Sequence, residues 1–135
     1  MSRGLRNNNP GNIRILGDRF QGEKTPSRDL EFKEFYSIDY GYRAMFVMLA
    51  TYITKGYDTV EKIINRWAPN TENDTKAYIN TVVRLSGVTA QARLTTQSGP
   101  AIKRIVAAMS FVENGKAANL DDVEKGFKLQ NRIVC

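Results

Sequence analysis

At 135 residues, 41% hydrophobic and 10% aromatic, the chain reads as one globular domain over 1–135 rather than a disordered tail. It has no histidine and a single cysteine, Cys135. That excludes Ser-His-Asp and Cys-His catalysis, His-ligated zinc, an internal disulfide and a cysteine metal cluster.

In chain order, residues 3–17 are crowded with Asn, Gly and Pro and read as a structured loop feeding a short strand. Asn9-Pro10-Gly11 is a turn signal, and Asn12 to Ile15 alternates as an edge strand would. Residues 18–21 and 30–35 are further extended candidates around a polar, breaker-containing stretch, which predicts a small β-hairpin lobe. From Asp39 the period becomes helical: Tyr42, Met45, Phe46, Leu49, Tyr52 and Ile53 share one face. A second helix is expected from Asp58, with Glu61 as capping-box partner, and stops at Ala68-Pro69. A third begins near Asn73 or Asp74 and ends at Ser86-Gly87. A fourth starts at Ser98 with Pro100 in its first turn and terminates at Glu113-Asn114-Gly115. A short helix from Asp121 or Asp122 completes a mainly α (α+β) fold.

Without histidine, proton chemistry falls to Asp, Glu, Lys or Tyr, and no cofactor is expected. The net charge of +6 fits a polyanionic partner or simply a mildly basic surface. Nucleic acid is not expected as a partner, because the basic residues are scattered and form no recognition motif. No run approaches the roughly 18 apolar residues of a membrane span, and the N-terminal residues lack the apolar core of a signal peptide. The expectation is a product made in the cytoplasm.

Three polar clusters can carry chemistry. In Asn7 to Arg14 the amides can cap turns, or Asn9, Asn12 and Arg14 can line a site for N-acetylated, polyhydroxylated ligands. In Trp67 to Tyr78, Asn73 or Asp74 can serve as a helix cap. Glu72, Thr75 and Tyr78 exceed what a cap needs, and Thr75 and Tyr78 share a helix face. Trp67 is a core residue or a sugar platform. Glu113 closes a strongly apolar helix, where the macrodipole disfavours an anion and should raise its pKa. A carboxyl kept protonated can act as general acid toward a glycosidic oxygen; the alternative is a solvated Glu beside an Asn-Gly helix stop.

The run Arg3 to Arg14, then Phe32-x-x-Phe35, Gly41-Tyr42-Arg43-Ala44, Trp67-Ala68-Pro69 and Glu72-Asn73-x-Thr75-x-x-Tyr78, resembles a family of small phage and prophage virion-associated proteins. More distantly, it is similar to the lysozyme-like glucosaminidases of autolysins and flagellar assembly. In those proteins an apolar helix ends in a catalytic Glu, followed by an Asn-rich segment, a β-lobe and a helix with a tyrosine motif. Here Asn9 to Ile15, Phe32 to Phe35 and Asn73 to Tyr78 match the later parts. The helix expected before Asn7 is missing, and Ile102 to Gly115 resembles it. The resemblance therefore implies a circularly permuted lysozyme-like domain, with Glu113 beside Asn9 to Arg14.

What this implies is a peptidoglycan-degrading glycosidase, whether muramidase, glucosaminidase or lytic transglycosylase, acting on the β-1,4 bonds of bacterial cell-wall glycan. Glu113 would be the general acid, and the second catalytic residue, Tyr78, would position the substrate or a water together with Thr75. Asn9, Asn12, Arg14, Glu72, Asn73 and Thr75 would hold substrate, and a second carboxylate would come from Glu23, Asp29 or Glu31. Other virion proteins are expected partners, with the chain virion-associated or delivered to the periplasm or cell wall. The alternative is a non-catalytic virion structural or glycan-binding protein that keeps the lysozyme-like shape.

Overall fold

The computed structural model describes residues 1–71 and 73–135. Among them it contains six helices and one two-stranded sheet: α1 (Arg3–Arg6), β1 (Glu23–Lys24), β2 (Glu34–Phe35), α2 (Ile38–Thr54), α3 (Val60–Trp67), α4 (Thr75–Ser86), α5 (Gly99–Asn114) and α6 (Leu120–Leu129). The mainly helical α+β expectation holds. No described helix is long and apolar enough to cross a membrane.

The helix ends follow local chemistry. Asp74 caps α4 by accepting from the Ala77 N–H, and Gly87 and Gly115 close α4 and α5 in the left-handed conformation that glycine tolerates best. Asn119 caps α6, one turn's edge earlier than the two aspartates suggest. The start of α3 departs from expectation. Thr59, not Asp58, is the cap and accepts from the Lys62 N–H, so Glu61 is not a capping-box partner. Asp58 instead pairs with Lys62 and Arg93.

The apolar faces of α2 to α6 meet in one cluster in which Phe46, Leu49, Ile63, Ile64, Ile102, Ile105 and Met109 are fully buried. Tyr42 and Ser110 join α2 to α5 through a buried hydroxyl–hydroxyl bond of 2.9 Å. Where α6 crosses α2, a Cβ on Gly126 would stand 2.6 Å from Tyr42 Cβ and 2.8 Å from the Arg43 nitrogen. Only glycine allows that approach.

The N-terminal lobe differs in detail from its prediction. A one-turn helix, α1, stands where a loop was expected, capped by Ser2. The strands of the hairpin are Glu23–Lys24 and Glu34–Phe35, paired antiparallel, so β1 falls inside the stretch read as a breaker and residues 18–21 form no strand. The edge-strand reading of residues 12–15 survives as a single bridge between Arg14 and Phe32, flanked by backbone bonds Lys33 N–H to Ile13 O and Ile15 N–H to Glu31 O. Polar side chains, more than strand length, hold this lobe together.

Two of those polar contacts set its acid sensitivity. Arg3 grips both oxygens of Asp29 at 2.7 and 2.8 Å. Helped by the Glu31 and Phe32 N–H groups and the Asn7 amide, it holds the Asp29 carboxyl far below the usual carboxylate range. Arg28 does the same, less strongly, for the buried Glu34. Both folded-state pKa values are depressed. The stabilisation is therefore complete above the unfolded value near 4 and is lost as pH falls below it. The melting temperature should fall progressively as pH drops below about 4 and keep falling as the pH approaches the depressed folded-state values. Asp29→Asn should lower it at neutral pH and flatten that acid limb, as followed by circular dichroism.

Candidate active site

Glu113 sits in the last turn of α5, half-buried, and both of its carboxylate oxygens are engaged. Asn12 Nδ2 donates to Oε1 at 2.9 Å, and the Tyr78 hydroxyl donates to Oε2 at 2.9 Å. Those three residues come from the end of α5, the Asn-rich loop and the first turns of α4. The structure thus brings together the groups that the sequence places 101 and 35 residues apart.

Each donor is held for the task. Asn12 has φ of +49°, a left-handed conformation that Asn accepts more readily than most residues, and this turns its amide toward Glu113. Among the described residues its Oδ1 is buried without a hydrogen-bond partner, and it faces Gly4, on which a Cβ would come within 2.7 Å of that oxygen. Tyr78 is buried. Burial first, then the adjacent Glu113 carboxylate, pushes its phenol well above the ordinary value, so it stays a neutral hydroxyl across physiological pH.

The residue that sequence reasoning missed is Asn114. Its Nδ2 donates to the carbonyls of Pro10 and Ser110, each at 2.9 Å, and its Oδ1 accepts from Ser2 Oγ at 2.7 Å. One side chain therefore ties the end of α5 to the Asn-rich loop and to the start of α1. Read as part of a helix stop, it gave no signal beyond its adjacency to Glu113.

Other expected site residues have different surroundings. Asn9 is fully buried; its amide donates to the Ile13 and Lys33 carbonyls and accepts from the Ile13 N–H. That use of both amide atoms shapes the turn that presents Asn12 and leaves nothing for a ligand. Thr75 is also buried, and its hydroxyl donates to the Ala68 carbonyl. Asn73 is exposed and donates to the Pro69 carbonyl. Arg14 is exposed, bonded to Glu31 at 3.2 Å and lying over the Phe32 ring. Glu72 lies outside the described residues. Trp67 is half-buried against Gly11 and edge-on to Tyr52.

The three carboxylates considered as a second catalytic group all face cations. Glu23 is buried against Lys33, with Oε1 3.0 Å from the ammonium. Asp29 is gripped by Arg3, and Glu31 lies between Arg3 and Arg14. Among the described residues, Asn12 and Tyr78 orient the Glu113 carboxyl group as two neutral donors.

No protein-family model matches the chain. Protein P5 of Pseudoalteromonas phage PM2 is 40% identical to it over 132 residues, an alignment covering 94% of this chain and 81% of that protein. With that identity over nearly its whole length, the chain belongs to the phage protein family that includes protein P5.

Proposed function

We propose that the protein is a peptidoglycan-cleaving glycosidase with a lysozyme-like, circularly permuted arrangement, in which Glu113 is the general acid. The observation that carries this reading is the clamping of Glu113 by Asn12 and Tyr78. A carboxyl that serves only to solvate a helix end needs no such pair of donors. The clamp also suits a proton donor. An amide NH2 can only donate, so Oε1 stays an acceptor, whereas a phenol hydroxyl can donate or accept. The Tyr78 bond therefore survives a proton on Oε2 and can give it up toward a leaving oxygen.

The engagement of Glu23, Asp29 and Glu31 with cations favours intramolecular attack over a second carboxylate. Glu113 would protonate the glycosidic oxygen as its bond to C1 breaks. The C6 hydroxyl of the same sugar would then close on C1 and return its proton to Glu113, leaving a 1,6-anhydro sugar. The basic surface favours approach to an anionic wall, and a role carried in the virion and exerted at the periplasm or cell wall fits the family. Products from purified peptidoglycan should be one water lighter by mass spectrometry than the hydrolysis products of the same bonds. Reducing-end products would overturn the intramolecular route, and no release from any wall type would overturn the enzyme reading. Tyr78→Phe should lower turnover about tenfold, the size expected for loss of one hydrogen bond to a charged group, with the fold retained by circular dichroism.

A second reading, a virion structural or glycan-binding protein without turnover, is favoured by one observation. Asn9 and Thr75, which a substrate-lined site would turn outward, are spent on internal bonds.

A further inference from the structure

Arg43, in the Gly41-Tyr42-Arg43-Ala44 motif, has no part in the chemistry above. It lies on a groove of about 430 Å³ between the loop that follows Ile13 and the outer face of α2. Arg19 and Arg132 also line this groove, and among the described residues Asp18 is the one acidic residue to do so. Among the described residues none of the three arginines pairs with a carboxylate. Arg19 reaches the Glu23 carbonyl at 3.4 Å, Arg43 the Leu129 carbonyl at 3.3 Å and Arg132 the Thr51 hydroxyl at 3.3 Å. These are single, long bonds from groups that each carry five N–H donors. Arg3 and Arg28 behave differently, since each holds a carboxylate at under 3 Å.

Arg43 and Arg132 also act on one another. Burial lowers the proton affinity of Arg43, and the Arg132 charge lowers it further. Two guanidinium groups near enough to feel each other, one of them half-buried, constitute an arrangement that a bound anion would relieve. Beside the polar Gln21 and Thr51, the groove also presents apolar surface from Phe20, Val47, Met48 and Tyr52.

We propose that this groove is a subsite for an oxyanion, a carboxylate or phosphate carried on a small apolar body. Guanidinium forks match both groups bidentately. Stem-peptide carboxylates of wall glycan and phosphate headgroups both present this chemistry. The inference does not depend on Glu113, because binding is read without turnover.

The test is titration of the ¹⁵N-labelled protein with inorganic phosphate and, separately, with N-acetyl-D-alanyl-D-alanine, following the arginine Nε–H resonances. Saturable shifts at Arg19, Arg43 and Arg132, with Kd on the order of 1 mM, are expected for at least one probe. Response to the peptide alone assigns a peptide carboxylate, and response to phosphate alone assigns a phosphate group. Arg132 is exposed, so Arg132→Gln should fold normally; it should weaken binding about tenfold. Glu113→Gln, and Arg84→Gln at an exposed position outside the groove lining, should leave it unchanged. Absence of saturation with both probes, or equal weakening by Arg84→Gln, would overturn the proposal.

Discussion

Glu113→Gln is expected to lower the rate of wall clearing by two to four orders of magnitude, the span attributed to a positioned general acid, while the melting temperature stays near that of the wild type. The substitution is close to isosteric. The Gln carbonyl can still accept from Asn12, and its NH2 can donate to the Tyr78 hydroxyl, so both bonds that fix the side chain persist. What disappears is the acid. Zymograms on purified cell wall and turbidity assays at matched concentration measure the effect. Undiminished clearing by Glu113→Gln would remove Glu113 from the mechanism. Glu113→Asp is a useful companion, because a side chain one methylene shorter cannot hold both donors at 2.9 Å without backbone movement.

The largest effect on stability is expected from Lys33→Met. Lys33 is 1% exposed and Glu23 4%, and the Lys33 ammonium bonds both Glu23 oxygens and the Asp18 carbonyl. Removing the cation strands a carboxylate inside the lobe, at a cost of about 3–5 kcal/mol. That is a large part of the roughly 5–15 kcal/mol that holds a domain folded. The double variant Glu23→Leu/Lys33→Met should recover much of the loss, since an apolar pair of similar volume can replace a buried ion pair. Urea midpoints of the three proteins decide the matter. A single variant as stable as the wild type would show that water reaches Glu23 freely. The damage should extend to activity, because the Lys33 carbonyl anchors Asn9, and Asn9 shapes the turn that presents Asn12.

The helices and their stops were legible because their signals are local. The Tyr42 to Ile53 period, Pro100 in a first turn and glycine after Ser86 and Asn114 act within a few residues, and α2, α4 and α5 appear where these place them. The N-terminal lobe was harder to read. Its strands are two residues long, too short for an alternating pattern, and its cohesion comes from pairs such as Arg3–Asp29 and Lys33–Glu23 that no spacing rule anticipates. The neighbours of Glu113 were suggested by resemblance and not by periodicity, since nothing in a linear pattern joins residue 12 to residue 113. The Asn-rich loop was misleading in another way. Its amides look alike in sequence, yet Asn9 is spent on the backbone while Asn12 faces a carboxylate. Burial makes that distinction, and burial is a property of the whole fold.

The contact between Asn12 and Glu113 joins residues 101 positions apart in a chain of 135. Closing so long a loop costs conformational entropy, and the clamp exists only when α5 has docked. A fragment or growing chain that ends before α5 has Asn12 and Tyr78 but no acid for them to hold. The site also has no local stability of its own to lose first. On heating or in denaturant, loss of the clamped carboxyl and loss of the helical core should coincide in one transition.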